Sequence, residues 1–144
     1  TQARGSVPRA LRPLLGNRLY GCDACLAACP LVKKAPQAGA EVDLREFLSL
    51  GRRECAARYG GTAIAWRGRT VLQRNAAYAL GNLRDPAGVP LLTDLLRDPR
   101  PGLRAAAAWS LGRVGGAAAR AALAEQLKQE TAEEVRAEIA LGLT

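Results

Sequence analysis

The 144-residue chain has no histidine and no methionine, and aromatic residues make up only 4% of it. Without histidine it lacks the side chain that most often serves as a general base or a metal ligand near neutral pH. No nucleophile–base pair stands out in its place. No run of about 18 apolar residues occurs, which excludes a membrane-spanning helix. The opening TQARGSVPRA is not a basic-then-apolar leader, does not begin with methionine, and has neither a cap nor a strand to tie it down. Thr1 is therefore expected to be an interior position of a longer protein, with this chain as its C-terminal part.

What is present is apolar in an unusual way. Apolar residues reach 49%, too many for a disordered chain, and they come mainly as runs of alanine and leucine with few β-branched residues. That composition favours helices packed closely through small side chains. The formal charge is +8, and arginine far outnumbers lysine. Arginine forks onto phosphates, so the excess points to a polyanionic partner. An arginine-rich proteome is the plainer source of the same excess.

Residues 1–35 are rich in glycine and proline and contain three of the four cysteines. A short helix is expected from about Pro8 to Leu15, and residues 36–42 read as a linker, polar and without periodicity. From Asp43, a plausible N-cap, the pattern turns helical: Leu44, Phe47, Leu48 and Leu50 form an apolar stripe that Gly51 ends. Residues 43–70 form connecting helices that would support the start of the region beyond residue 70.

Residues 71–144 repeat themselves. LQRNAAYALGNLRD from Leu72 matches LRAAAAWSLGRVGG from Leu103, and their Leu-Gly pairs fall 31 residues apart. A third copy, VRAEIALGLT, starts at Val135. Between the copies lie PAGVPLLTDLLRDP and GAAARAALAEQLKQ, each read as an amphipathic helix of roughly three turns, with breaks at Asp98-Pro99 and Gly115-Gly116. Two helices per unit of about 30 residues mean an α-solenoid, and the motif L/V-R-x-x-A-A-x-x-L-G resembles a HEAT or HEAT-like repeat.

The stretch GCDACLAACP, residues 21–30, is where chemistry concentrates. A zinc site from Cys22, Cys25, Cys29 and Cys55 has the right number of ligands. Against it, Cys55 stands alone in a helical segment, where a lone cysteine commonly packs as a small apolar residue. Disulfides within C-x₂-C-x₃-C would be strained, and no secretory signal supports them. The third reading is iron–sulfur. C-x₂-C-x₃-C-P is the tail of the bacterial ferredoxin run, in which the last cysteine ligates the other cluster of a pair. Cys22 and Cys25 then serve one 4Fe–4S cluster and Cys29 its neighbour, with the remaining ligands upstream of Thr1.

The words RGSVPRALRPLLGNRLYGCDACLAACP and TAIAWRGRTVLQRNAAYALGN resemble the second cluster motif, and the junction into the HEAT-like region, of the epoxyqueuosine reductase family. The resemblance runs from about Gly5 to Leu111. It implies the second half of a dicluster ferredoxin-like module followed by a mainly α, HEAT-like solenoid. It also implies an oxidoreductase that reduces epoxyqueuosine to queuosine at the tRNA wobble position, passing electrons through two 4Fe–4S clusters to cobalamin. Implied partners are tRNA and an electron-donor protein, for a cytoplasmic monomer. Leu31-Val32 follow Pro30 where the family usually has Trp-Asn, so any contact that tryptophan makes has no counterpart here. No catalytic acid or cobalamin site is expected in this chain, which alone should be inactive.

For tRNA, the candidate contacts are Arg67, Arg69, Arg74, Asn75 and Arg104, with Trp66 placed to stack on a splayed base. The structural alternative is that Arg74 and Asn75 brace the first repeat and that the tryptophans fill the core; for Trp109 the core is the expectation. Two rival readings remain at this point. One is a non-enzymatic HEAT-like interaction module with a small cysteine-held metal site. The other is a related iron–sulfur reductase acting on a non-RNA substrate.

Overall fold

The computed structural model describes all residues except Gln2, Asp23 and residues 32–41, with the backbone alone for Leu26 and Ala27. All regular structure among the described residues is helical. The segment expected as a linker lies outside the described residues except for Val42.

The helices are α1 (Ala24–Ala27), α2 (Leu44–Ser49), α3 (Arg52–Tyr59), α4 (Arg69–Leu83), α5 (Val89–Leu95), α6 (Pro101–Val114), α7 (Gly116–Gln129) and α8 (Glu133–Leu143). Their boundaries follow from local chemistry. Asp43 caps α2 by accepting the Arg45 amide at 2.9 Å. Pro101 opens α6 at the position where a missing N–H costs nothing. Gly115 and Gly116, at φ +72° and +85°, part α6 from α7. Two boundaries differ from expectation. The Pro8–Leu15 helix is instead two 3₁₀ turns, Arg9–Leu11 and Pro13–Leu15, because Pro13 has no N–H to carry an α-helix across Arg12. The α5 helix has seven residues rather than three turns, since Pro90 confines its start and a separate 3₁₀ turn, Pro86–Gly88, takes up the approach.

Two layers result. Helices α4, α6 and α8 lie side by side, while α2, α5 and α7 cover them from one side. The α2 helix thus stands where an outer helix belongs before α4, and Phe47 and Leu48 are buried in that contact. The core between the layers is leucine and alanine: Leu72, Leu80, Leu92, Leu103, Leu111 and Leu123 are at most 2% exposed. The Leu-Gly pairs of the repeat explain the close stacking. A Cβ on Gly112 would lie 2.7 Å from the Gly142 Cα, so the seam between α6 and α8 admits only hydrogen there.

The residue after each leading aliphatic has one recurring task. Gln73 Nε2 donates to the Leu48 carbonyl at 3.0 Å, and Arg104 Nη1 to those of Asp98 and Pro99 at 2.9 and 3.2 Å. Arg136 Nη1 donates to Leu127 and Glu130 at 3.1 and 2.9 Å. Each satisfies carbonyls left open where the preceding outer helix ends.

The opening residues form a strap across the α4–α6–α8 layer. Val7, Arg12 and Leu19 are buried. The Arg12 guanidinium donates to Val7 O at 2.9 Å and Glu138 Oε1 at 2.6 Å, and lies over the rings of Tyr78 (5.3 Å) and Trp109 (5.8 Å). Arg9 also pairs with Glu138. Asn82 Nδ2 holds the Arg12 and Gly16 carbonyls at 2.9 and 3.0 Å. Trp109 is 3% exposed, edge-on to Tyr78 at 5.4 Å.

Candidate functional site

The strap delivers the cysteine turn. Gly21, at φ +72°, leads into Cys22; Cys25 lies in α1, and Cys29 follows it. None of the four cysteines is in a disulfide. Cys22 and Cys25 are exposed and Cys29 is half-buried, whereas Cys55 is buried in the core. Among the described residues no three cysteines or carboxylates gather into one metal cage. Cys55 is thus a packing residue of α3, apart from the turn. Three cysteines on one turn are a donor set that suits a thiophilic metal such as iron or zinc.

The turn is fastened to the first repeat by Arg74 and Asn75. Asn75 Nδ2 donates to the carbonyls of Leu19 (2.8 Å) and Thr1 (2.9 Å). Arg74 donates to the Ala3 carbonyl at 2.8 Å, to that of Gly5, and to Asn75 Oδ1 at 2.9 Å. Their exposures are 5% and 1%, so the expected RNA-facing placement of Arg74 and Asn75 is corrected: both face inward and hold the strap. Burial, partly offset by Tyr78, lowers the Arg74 pKa below the ordinary arginine value.

Arg104 is likewise engaged within the protein. Its fork meets Glu130 through two 2.8 Å bonds, and its remaining group caps the Asp98 and Pro99 carbonyls. Glu130 also accepts the Thr131 and Ala132 amides and Gln126 Nε2. Its pKa falls to about 2, chiefly through Arg104, against the opposing effect of burial. With four of its five N–H groups engaged by Glu130 and the two carbonyls, Arg104 closes the repeat, a task that competes with the expected RNA contact.

Arg67 and Arg69 are placed differently. Trp66, in the 3₁₀ turn Ala63–Arg67, is 74% exposed, and the Arg67 guanidinium stacks on its ring at 4.7 Å. Arg69 Nη1 reaches the Leu50 carbonyl at 3.1 Å, which sets it beside the start of α3. There Arg52 and Arg53 are exposed, with no ion pair among the described residues. These two were missed in the sequence. The available signal was a pair of cations in a helix's first turn, where the macrodipole disfavours positive charge. Arg52, Arg53, Arg67, Arg69 and Trp66 make a basic, aromatic-bearing corner where α3 packs on the Ala63–Arg67 turn.

The repeat architecture and the family model agree: residues 67–144 match HEAT repeats, and the chain is a HEAT-repeat protein. Among proteins of that class it is more particularly a member of the epoxyqueuosine reductase family. It is 37% identical to the epoxyqueuosine reductase of Bacillus subtilis (strain 168), with 99% of this chain aligned to 40% of that protein. A crystal structure of epoxyqueuosine reductase with an epoxyqueuosine-modified tRNA-Tyr stem loop superimposes with a TM-score of 0.86, at 37% identity over 99% of this chain and 41% of that one. The Streptococcus thermophilus enzyme follows at 0.80, with 27% identity over 98% and 40% of the two chains. The chain thus spans about 40% of the length of the curated reductases it matches. No helix among the described residues is long and apolar enough to cross a membrane.

Proposed function

We propose that this chain is the cluster-ligating and tRNA-holding region of an epoxyqueuosine reductase, a protein that reduces epoxyqueuosine in tRNA to queuosine. The observation that carries the reading is the match of nearly the whole chain to a reductase solved with its modified tRNA stem loop. Cys22 and Cys25 would ligate one 4Fe–4S cluster and Cys29 a second. When bound, such clusters pass single electrons. The chain's own part is to hold the thiols on a turn whose backbone is bolted to α4, and to offer the Arg52–Arg69 corner to the RNA backbone. Trp66 supplies a flat apolar face there for an unstacked base. No residue of this chain is assigned to cobalamin.

The test is anaerobic reconstitution of the full-length protein. About eight irons per protein are expected, with roughly half lost in Cys22→Ser/Cys25→Ser and reduction of epoxyqueuosine tRNA abolished. A colourless protein holding one zinc would replace this reading with that of a HEAT-like interaction module.

A further inference from the structure

Arg74 presents a physical problem that the packing of the strap alone does not solve. It is 5% exposed, yet every acceptor it reaches is neutral: the Ala3 and Gly5 carbonyls and Asn75 Oδ1. Arg12, Arg100 and Arg104 are compensated, by Glu138, Asp98 and Glu130. Half-buried Arg69 and Arg113 also make no ion pair among the described residues, but Arg74 is buried more deeply than either. Arg74 has no carboxylate partner among the described residues. A buried cation without an anion is costly, and folds retain one where something negative completes it.

The nearest chemistry is the cysteine turn. Asn75, which accepts from Arg74, holds Leu19 O at 2.8 Å and Thr1 O at 2.9 Å; Thr1 Oγ1 in turn donates to Gly21 O at 3.1 Å. Two hydrogen bonds therefore join Asn75 to the residue before Cys22.

We propose that Arg74 is the counter-charge to the thiolates of the cysteine turn and raises the reduction potential of the cluster held through Cys22 and Cys25, with Asn75 as the positioning residue that fixes the charge there. The inference rests on the cluster reading above. One-electron reduction adds one negative charge to a cluster, so a fixed cation nearby favours the reduced form. Arginine suits the task because it stays charged when buried and its fork can be held from several sides.

The experiment is an anaerobic titration with dithionite, followed by electron paramagnetic resonance, of the reconstituted full-length protein and its Arg74→Gln, Arg74→Lys and Asn75→Ala variants. Arg74→Gln is expected to move one cluster's midpoint to more negative potential and leave the other's in place. Arg74→Lys, which keeps the charge and loses the fork, should stay near the parent value, and Asn75→Ala should fall between. An Arg74→Gln midpoint equal to the parent's, or equal shifts at both clusters, overturns the proposal. If Arg74→Gln does not fold, Arg74→Lys and Asn75→Ala decide together: a parent-like lysine midpoint beside a more negative Asn75→Ala midpoint supports the counter-charge, and any other pairing overturns it. A parent protein that takes up no iron brings down the cluster reading itself, a failure distinct from unmoved midpoints in a loaded protein.

Discussion

Glu130 and the arginines around it show how differently one residue type is used in a chain with this much positive charge. The Glu130 pKa of about 2, against an ordinary 4.5, corresponds to about 3 kcal/mol of stability at neutral pH. Because the folded pKa is the depressed one, that stability is complete above about pH 4.5 and drains away as pH falls through 2. Glu130→Gln should cost about 3 kcal/mol at pH 7, with the two unfolding curves converging in acid, as urea melts at several pH values would reveal. At the other extreme stand the arginines of the corner beside α3. Arg67→Glu with Arg69→Glu should weaken tRNA binding and flatten its dependence on salt, each lost phosphate contact lowering the log–log slope by about 0.9 for duplex and 0.7 for single strand. Arg104→Gln is expected to lower the melting temperature while leaving that slope alone; filter binding across salt concentrations separates the two. Sequence alone marked all these arginines as candidates, since a bidentate carboxylate and a phosphate call for the same side chain. Arg104 meets its carboxylate 26 residues away, at a distance in sequence where no short motif reports it.

Helices were far easier to read. The Leu-Gly register at 31 residues located α4 and α6 because repeated packing leaves repeated small residues. What the register does not disclose is that its glycines face neighbouring backbones and end no helix: Gly81 packs on Ser110, and Gly112 on Gly142. Two substitutions test this. An alanine gains up to about 1 kcal/mol of helix propensity over glycine. At Gly112 its Cβ would sit 2.7 Å from a backbone atom, and overpacking of about 1–3 kcal/mol should outweigh that gain. At Gly142 the end of the Leu123 side chain stands at 3.1 Å and can turn aside, and the backbone Gly112 Cα stands at 3.3 Å, a looser approach than the 2.7 Å at Gly112. Gly112→Ala should therefore melt several degrees below Gly142→Ala in a thermal scan. The shortness of α5 is legible in Pro90 but masked by an apolar periodicity that runs on through Leu95 and Leu96.

Across the whole molecule, the feature beyond the reach of sequence is the strap. Its partners lie about 55 to 130 positions away, on three different repeats, and single polar side chains make the joints. Glu138 is the joint that serves both Arg9 and Arg12. Glu138→Ala strands the Arg12 guanidinium, 7% exposed at its side chain, beside two aromatic rings, at an expected cost of about 3 kcal/mol. Limited proteolysis of that variant should cut first within residues 1–21, with the helical circular dichroism of the repeats kept. The same contacts bear on how the protein is made. Arg12 and Glu138 are 126 positions apart, and a ribosome adding about 5–20 residues per second needs roughly 6–25 s to travel between them. Within that interval α4 is made first and offers the strap Asn75 and Asn82, while the Arg12 guanidinium waits for its carboxylate. The joint at Arg12 is thus the last of the strap to close, after the joints that Asn75 and Asn82 make on α4.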